Sequence, residues 1–106
     1  MPTHPHFAAY VQEQIMHSGE IRIKKMFGEY GVYCNDVFVG LICDNLFFVK
    51  ITDAGRLFAG EIQVGLPYPN AKPHFLIEDG LEDWEWLSEL IKITASSLAL
   101  LKSKKD

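Results

Sequence analysis

The sequence predicts an α+β fold in which an antiparallel sheet is flanked by helices. Between Lys24 and Lys50, KKMFGEYGVYCNDVFVGLICDNLFFVK strings three short apolar runs on two polar turn pairs, the pattern of a meander. From about Leu81 onward, apolar residues recur every three or four positions, the period of a long helix. Phe7, Tyr10, Val11 and Ile15 keep helical spacing ahead of both.

The first helix spans Phe7 to His17, with Gln12, Glu13 and Gln14 mostly opposite its apolar side and Gly19 as its stop. Glu20 to Phe27 then alternates, Ile21 and Ile23 against Arg22 and Lys24, until Lys24-Lys25 breaks the period at a bulge or strand end. Gly31 to Cys34, Val37 to Cys43 and Leu46 to Ile51 follow as strands, because Asn35-Asp36 and Asp44-Asn45 tolerate the positive φ angles of tight hairpins. Thr52 or Asp53 caps a short helix through Arg56, Leu57 and Phe58, which leaves through Gly60. A strand near Glu61 to Val64 precedes the loop Leu66 to Pro73, whose three prolines remove ladder donors and whose Pro69-Asn70 suits the centre of a turn. His74 to Ile77 is extended again. Trp84, Leu87, Ile91, Ala95, Leu98 and Leu101 then mark the last helix, with acids in its first turns and Lys102, Lys104 and Lys105 at its end, as the helix dipole favours.

Both faces of the predicted sheet are apolar. Val37, Val39 and Leu41 point one way and Phe38 and Ile42 the other, while Phe48 opposes Phe47 and Val49. The chain has helix enough to cover one such face, so the second calls for a partner protein, a second copy of the chain, or a fold-over by the proline loop or last helix.

One hundred and six residues, 48% hydrophobic and 23% charged, fit a single globular domain over 1–106. No apolar run nears the roughly 20 residues of a membrane span, and MPTHPHF lacks the basic start and apolar stretch of a secretory signal, so a cytoplasmic protein is expected. Cys34 and Cys43 fall about 20 Å apart on the predicted strands at about 3.4 Å per residue, beyond the reach of a bridge. Both are therefore expected to be reduced, packed thiols. The net charge of −4 repels phosphate, leaving nucleic acid only a local patch such as Arg22, Lys24 and Lys25 beside Phe27 and Tyr30, or the lysine tail.

Enzyme signatures are missing: the sequence holds no phosphate loop, no dinucleotide fingerprint, no nucleophile elbow and no paired cysteines at metal spacing. The acids Glu78 to Glu89 suit a solvated helix start better than paired catalytic carboxylates. His4 and His6 have a close spacing that a metal could exploit, and with Met1 removed His4 stands third from the free amine of Pro2, as a square-planar copper or nickel site would need, an accident of chemistry rather than a designed site; His74 suits a packed strand. No catalytic, cofactor or metal residue is assigned.

Lys25, Met26, Phe27, Gly28, Gly31, Tyr33 and Lys50, then Phe58 and Gly60, the Pro67-Tyr68-Pro69 loop, the strand after Lys72-Pro73 and the Trp-bearing last helix stand in an order that resembles the N-terminal domain family of the competence regulator TfoX. Glu29 stands where such proteins often carry a second glycine. The resemblance covers roughly Phe7 to Lys105 and implies a two-layer α+β fold like that of secretion chaperones, in the order α-β-β-β-α-β-β-α. It also implies a regulatory role, since family members with an additional helical domain activate natural competence genes alongside a cyclic-AMP-dependent activator. This chain is expected to lack that domain, and the family offers no catalytic residues to carry over.

The function expected is a non-enzymatic regulatory or adaptor domain that binds protein, a transcription factor being one such partner, with Phe38, Phe47, Tyr68 and Trp84 as the contact residues. A direct nucleic-acid binder using Arg22, Lys24 and Lys25 is the alternative from another class, and a small-molecule pocket or enzyme around His74 the third.

Overall fold

The structure is a computed structural model and describes residues 3–26 and 28–105, with side chains up to residue 101. Among the described residues the chain forms three α-helices and six strands: α1 (Pro5–Ile15), β1 (Ile21–Met26), β2 (Glu29–Cys34), β3 (Val37–Cys43), β4 (Leu46–Lys50), α2 (Asp53–Ala59), β5 (Val64–Gly65), β6 (His74–Ile77) and α3 (Trp84–Lys105). The strands make one antiparallel sheet in the order β1-β2-β3-β4-β6-β5. Four strands precede α2, one more than the order the family resemblance implies. The alternating stretch from Ile21 forms β1, at the sheet edge.

Local chemistry accounts for the boundaries. Helix α1 starts at Pro5, ahead of the apolar repeat, because proline's fixed φ suits a first turn and His4 Nδ1 accepts the His6 N–H at 3.1 Å. Both hairpin turns have the predicted form, with positive φ at Asn35 and Asp36 and at Asp44 and Asn45. Thr52 Oγ1 accepts the Gly55 N–H at 2.9 Å and caps α2, which ends at Gly60 with φ 74°.

All three helices lie on one side of the sheet. Val11 and Ile15 of α1 and Leu87, Leu90 and Ile91 of α3 pack on Val32, Val39, Ile42, Phe47, Val49, Phe75 and Ile77, every one of them buried. Gly55 of α2 faces Leu90 and Phe75 on the same side. A bulge alters the facing predicted for β3. Val32 pairs with Gly40 but Tyr33 with Phe38, so Val39 is an extra residue and the alternation shifts by one beyond it. Ile42 therefore joins Val39 in the core, and Leu41 shares the opposite face with Phe38 instead of following Val37 and Val39. The two cysteines are free and buried, Cys34 on the helix side and Cys43 on the other.

Candidate functional site

Among the described residues no helix covers the other face of the sheet. Register places Tyr33, Phe38, Leu41, Cys43, Phe48 and Leu76 on it, and the chain beyond β5 folds back across part of it. That return is shaped by a turn in which the Ala71 N–H donates to the Tyr68 carbonyl at 3.1 Å and Asn70 takes a φ of 71°, the type II geometry that a Pro69-Asn70 pair favours. Pro67, Tyr68 and Pro69 then wall a cavity of about 620 Å³ whose other side is built from Met26, Phe38, Leu41 and Cys43. Gly31 keeps the floor open: a Cβ there would run into Met26 Sδ and approach Phe38 Cε1 to 3.2 Å.

The two ends of this groove carry opposite charge. At the Phe38 end, Lys50 Nζ sits 4.7 Å from the Phe38 ring centroid and Lys24 Nζ 5.1 Å from that of Tyr33, the two rings being 5.1 Å apart. Arg22 joins them from β1, with Nη1 3.9 Å from Asp36 Oδ1 across an exposed pair. Burial lowers the pKa of Lys50, and the charge of Lys72 lowers it further. At the Cys43 end stand Glu29 and Asp44. Glu29 Oε1 accepts the Thr3 N–H and Oε2 the Asp44 N–H, each at 2.9 Å. Burial by itself would raise the Glu29 pKa, but these donors and the Thr3 hydroxyl outweigh it and hold the carboxylate below its usual range. Burial, and then the charges of Glu29 and Asp44, push the Cys43 thiol up to about 11, which keeps it protonated and a poor nucleophile.

His74 also lies on this face, opposite Lys50, with Nδ1 2.7 Å from the Lys72 carbonyl and Nε2 buried without a hydrogen-bond partner. Burial lowers its pKa, the carbonyl of Lys72 raises it and the charge of Lys50 lowers it, with a net fall. The folded protein thus holds this proton less tightly than the unfolded chain. Stability contributed by the neutral ring is full above the ordinary histidine value of 6.5 and drains away as pH falls below it. The urea midpoint should accordingly drop between about pH 7.5 and about pH 5.5, and His74→Gln should flatten that slope. An unchanged slope in the variant would remove His74 from this account.

The predicted contact residues separate on this geometry. Phe38 and Tyr68 meet across the cavity. Phe47 does not belong there: lying between Leu46 and Phe48 of the open side, it points into the core and is fully buried, so its candidacy as a contact is withdrawn. Trp84 stands at the start of α3 with its ring 5.1 Å from that of His17, apart from the groove. The basic trio is split, since Lys25 alternates with Arg22 and Lys24 and pairs with Tyr30, which packs on the helix-side core. Phe27, the Pro2 amine of the expected N-terminal metal site, and the side chains of the lysine tail lie outside the described residues. The groove residues that the pattern did not single out are Met26, Glu29, Leu41, Cys43 and Lys50. For Lys50 a signal existed, because the alternation of β4 puts it beside Phe48 on the uncovered face.

Two comparisons place the chain among known proteins. The family model described as the TfoX N-terminal domain matches residues 13–97. A protein of Spirochaeta aurantia, described as an uncharacterized 12.7 kDa protein in the trpE 5′ region, is 37% identical over 105 residues, which cover 99% of this chain and 91% of that one.

Proposed function

Because the chain belongs to the TfoX N-terminal domain family, we propose that it is a non-enzymatic cytosolic regulatory or adaptor domain that holds a segment of another protein in the groove between its uncovered sheet face and the Pro67 to Pro69 wall. The observation that carries this reading is the apolar cavity itself. Met26, Phe38, Leu41 and Tyr68 converge on a volume large enough for several side chains, where a sheet face without a covering helix would otherwise have to be polar. A half-exposed tyrosine beside half-buried apolar side chains, Met26 and Leu41, is the composition of a protein-binding hot spot. Control of competence or transcription is the process that family membership favours, with a transcription factor as the partner. The groove's groups fit contact better than bond-breaking, since its thiol is held protonated and its carboxylate Glu29 is engaged by backbone donors.

A photo-crosslinking residue at Tyr68, introduced in the producing cell, should give one discrete adduct with a polypeptide. Leu41→Asp should cut its yield at least about tenfold, because a buried charge opposes apolar contact, while leaving the far-ultraviolet circular dichroism unchanged. An adduct pattern identical to that from a crosslinker at Gln12 on α1, insensitive to Leu41→Asp, would reject the groove.

Arg22 and Lys24 beside Tyr33 favour a second reading, direct binding of single-stranded nucleic acid, in which a base stacks on the ring and cations meet phosphate. That activity should show a steep salt dependence that flattens when Lys24 is removed.

A further inference from the structure

Charge is arranged along the groove as an axis. Arg22, Lys24 and Lys50 gather around the Tyr33 and Phe38 rings, and Lys72 adds its charge near Lys50. Glu29 and Asp44 occupy the other end, and Asp36 pairs with Arg22 at the margin. The ends are set by β3, where Phe38 and Cys43 lie up to about 16 Å apart at about 3.3 Å per residue, less what the bulge at Val39 takes up. Between them the lining is apolar. In a chain whose net charge is −4, the exposed surplus of cations at one end of an apolar trough is a selective feature and not an average of the surface.

We propose that the groove takes an extended peptide segment whose central apolar side chains fill the cavity and whose acidic residue, one or two positions away, meets Lys50 and Lys24 at the Phe38 end. This rests on the protein-binding reading above and specifies the partner's chemistry. Length supports it: about five extended residues span the trough from one charged end to the other. Electrostatics support it as well. Lys50 sits where burial and Lys72 both disfavour its charge, and an incoming carboxylate relieves that penalty while the ammonium stays over Phe38. A carboxylate at the Cys43 end would instead face Glu29 and Asp44 and be repelled. A basic residue at the Lys50 end would meet like charge, so the pattern selects against one at that position. A bare nucleic-acid strand would match the cations but leave the apolar trough unfilled and carry phosphates toward the acidic end.

The test uses the full chain and three short fluorescein-labelled peptides that share one Leu-Trp-Leu centre and are flanked on one side by acidic, neutral or basic residues, with binding followed by fluorescence anisotropy. The acidic peptide should bind about tenfold more tightly than the neutral one at low salt. Lys50→Gln should cut that preference to about twofold without weakening the neutral peptide, and Lys24→Gln should act in the same direction, so the outcome does not hang on one variant. Equal binding of all three peptides overturns the charge assignment while leaving the groove as a protein site. No binding by any of them, the neutral one included, overturns the groove as a peptide site and this inference with it. Displacement of the acidic peptide by oligo-dT, with loss of oligo-dT binding in Lys50→Gln, overturns it in favour of nucleic acid.

Discussion

Phe47→Ala is expected to lower the unfolding free energy by about 3–5 kcal/mol, the range for removing a buried aromatic ring. Phe47 is among the largest side chains with no exposure, and its ring stands in the core against which α1 and α3 pack. It pairs with Ile42 on one side and Ile77 on the other, so the cavity left behind would touch three strands that cannot close over it without losing register. For a domain whose whole stability is typically about 5–15 kcal/mol, that loss leaves a marginal fold. A urea titration followed by Trp fluorescence would measure it. A midpoint close to wild type would mean that the ring is not packed as described, and would also reopen Phe47 as a surface contact.

Gly40→Ala should cost about 2–3 kcal/mol, a large effect for one methyl group. Gly40 pairs with Val49 across the β3–β4 ladder at the bulge, where a Cβ would run into the Phe48 carbonyl oxygen and meet the Phe48 carbonyl carbon and Val49 Cα at 3.3 Å. These are backbone atoms and cannot swing aside as a side-chain tip would. The strands must part locally, which loosens Phe48 on the groove side and Val49 in the core together. The substitution should thus lower both the urea midpoint and the affinity of any groove ligand. Gly31→Ala is the control, since its added methyl meets mainly the flexible end of Met26. Equal stability of the Gly40 and Gly31 variants would contradict the close approach at the bulge.

Much of the fold was legible because short-range chemistry dictates it. The two hairpin turns were set by residues that accept positive φ, the α2 cap by a threonine hydroxyl, and α3 by a sustained apolar period. The facing of β3 was not, because one extra residue at Val39 exchanges the sides of everything after it and nothing in a run such as Val-Phe-Val-Gly-Leu-Ile-Cys marks the slip. That single register change moves Leu41 into the groove and Ile42 into the core. Phe38, Phe47, Tyr68 and Trp84 could all be named from sequence as aromatic contact candidates, but Phe47 and Phe48 differ only in side, and their separation depends on which face the helices take. That Phe38 and the proline loop line one cavity is a long-range arrangement and has no local signature.

Thr3, through its N–H on Glu29, tethers the start of the chain beside the acidic end of the trough, and its hydroxyl oxygen also accepts the Asn45 N–H at 3.2 Å. Anything fused ahead of it, a purification tag included, is delivered to the mouth of the groove, where it would crowd an incoming ligand. Helix α3 runs along the far layer, so an affinity handle placed after it leaves that entrance clear.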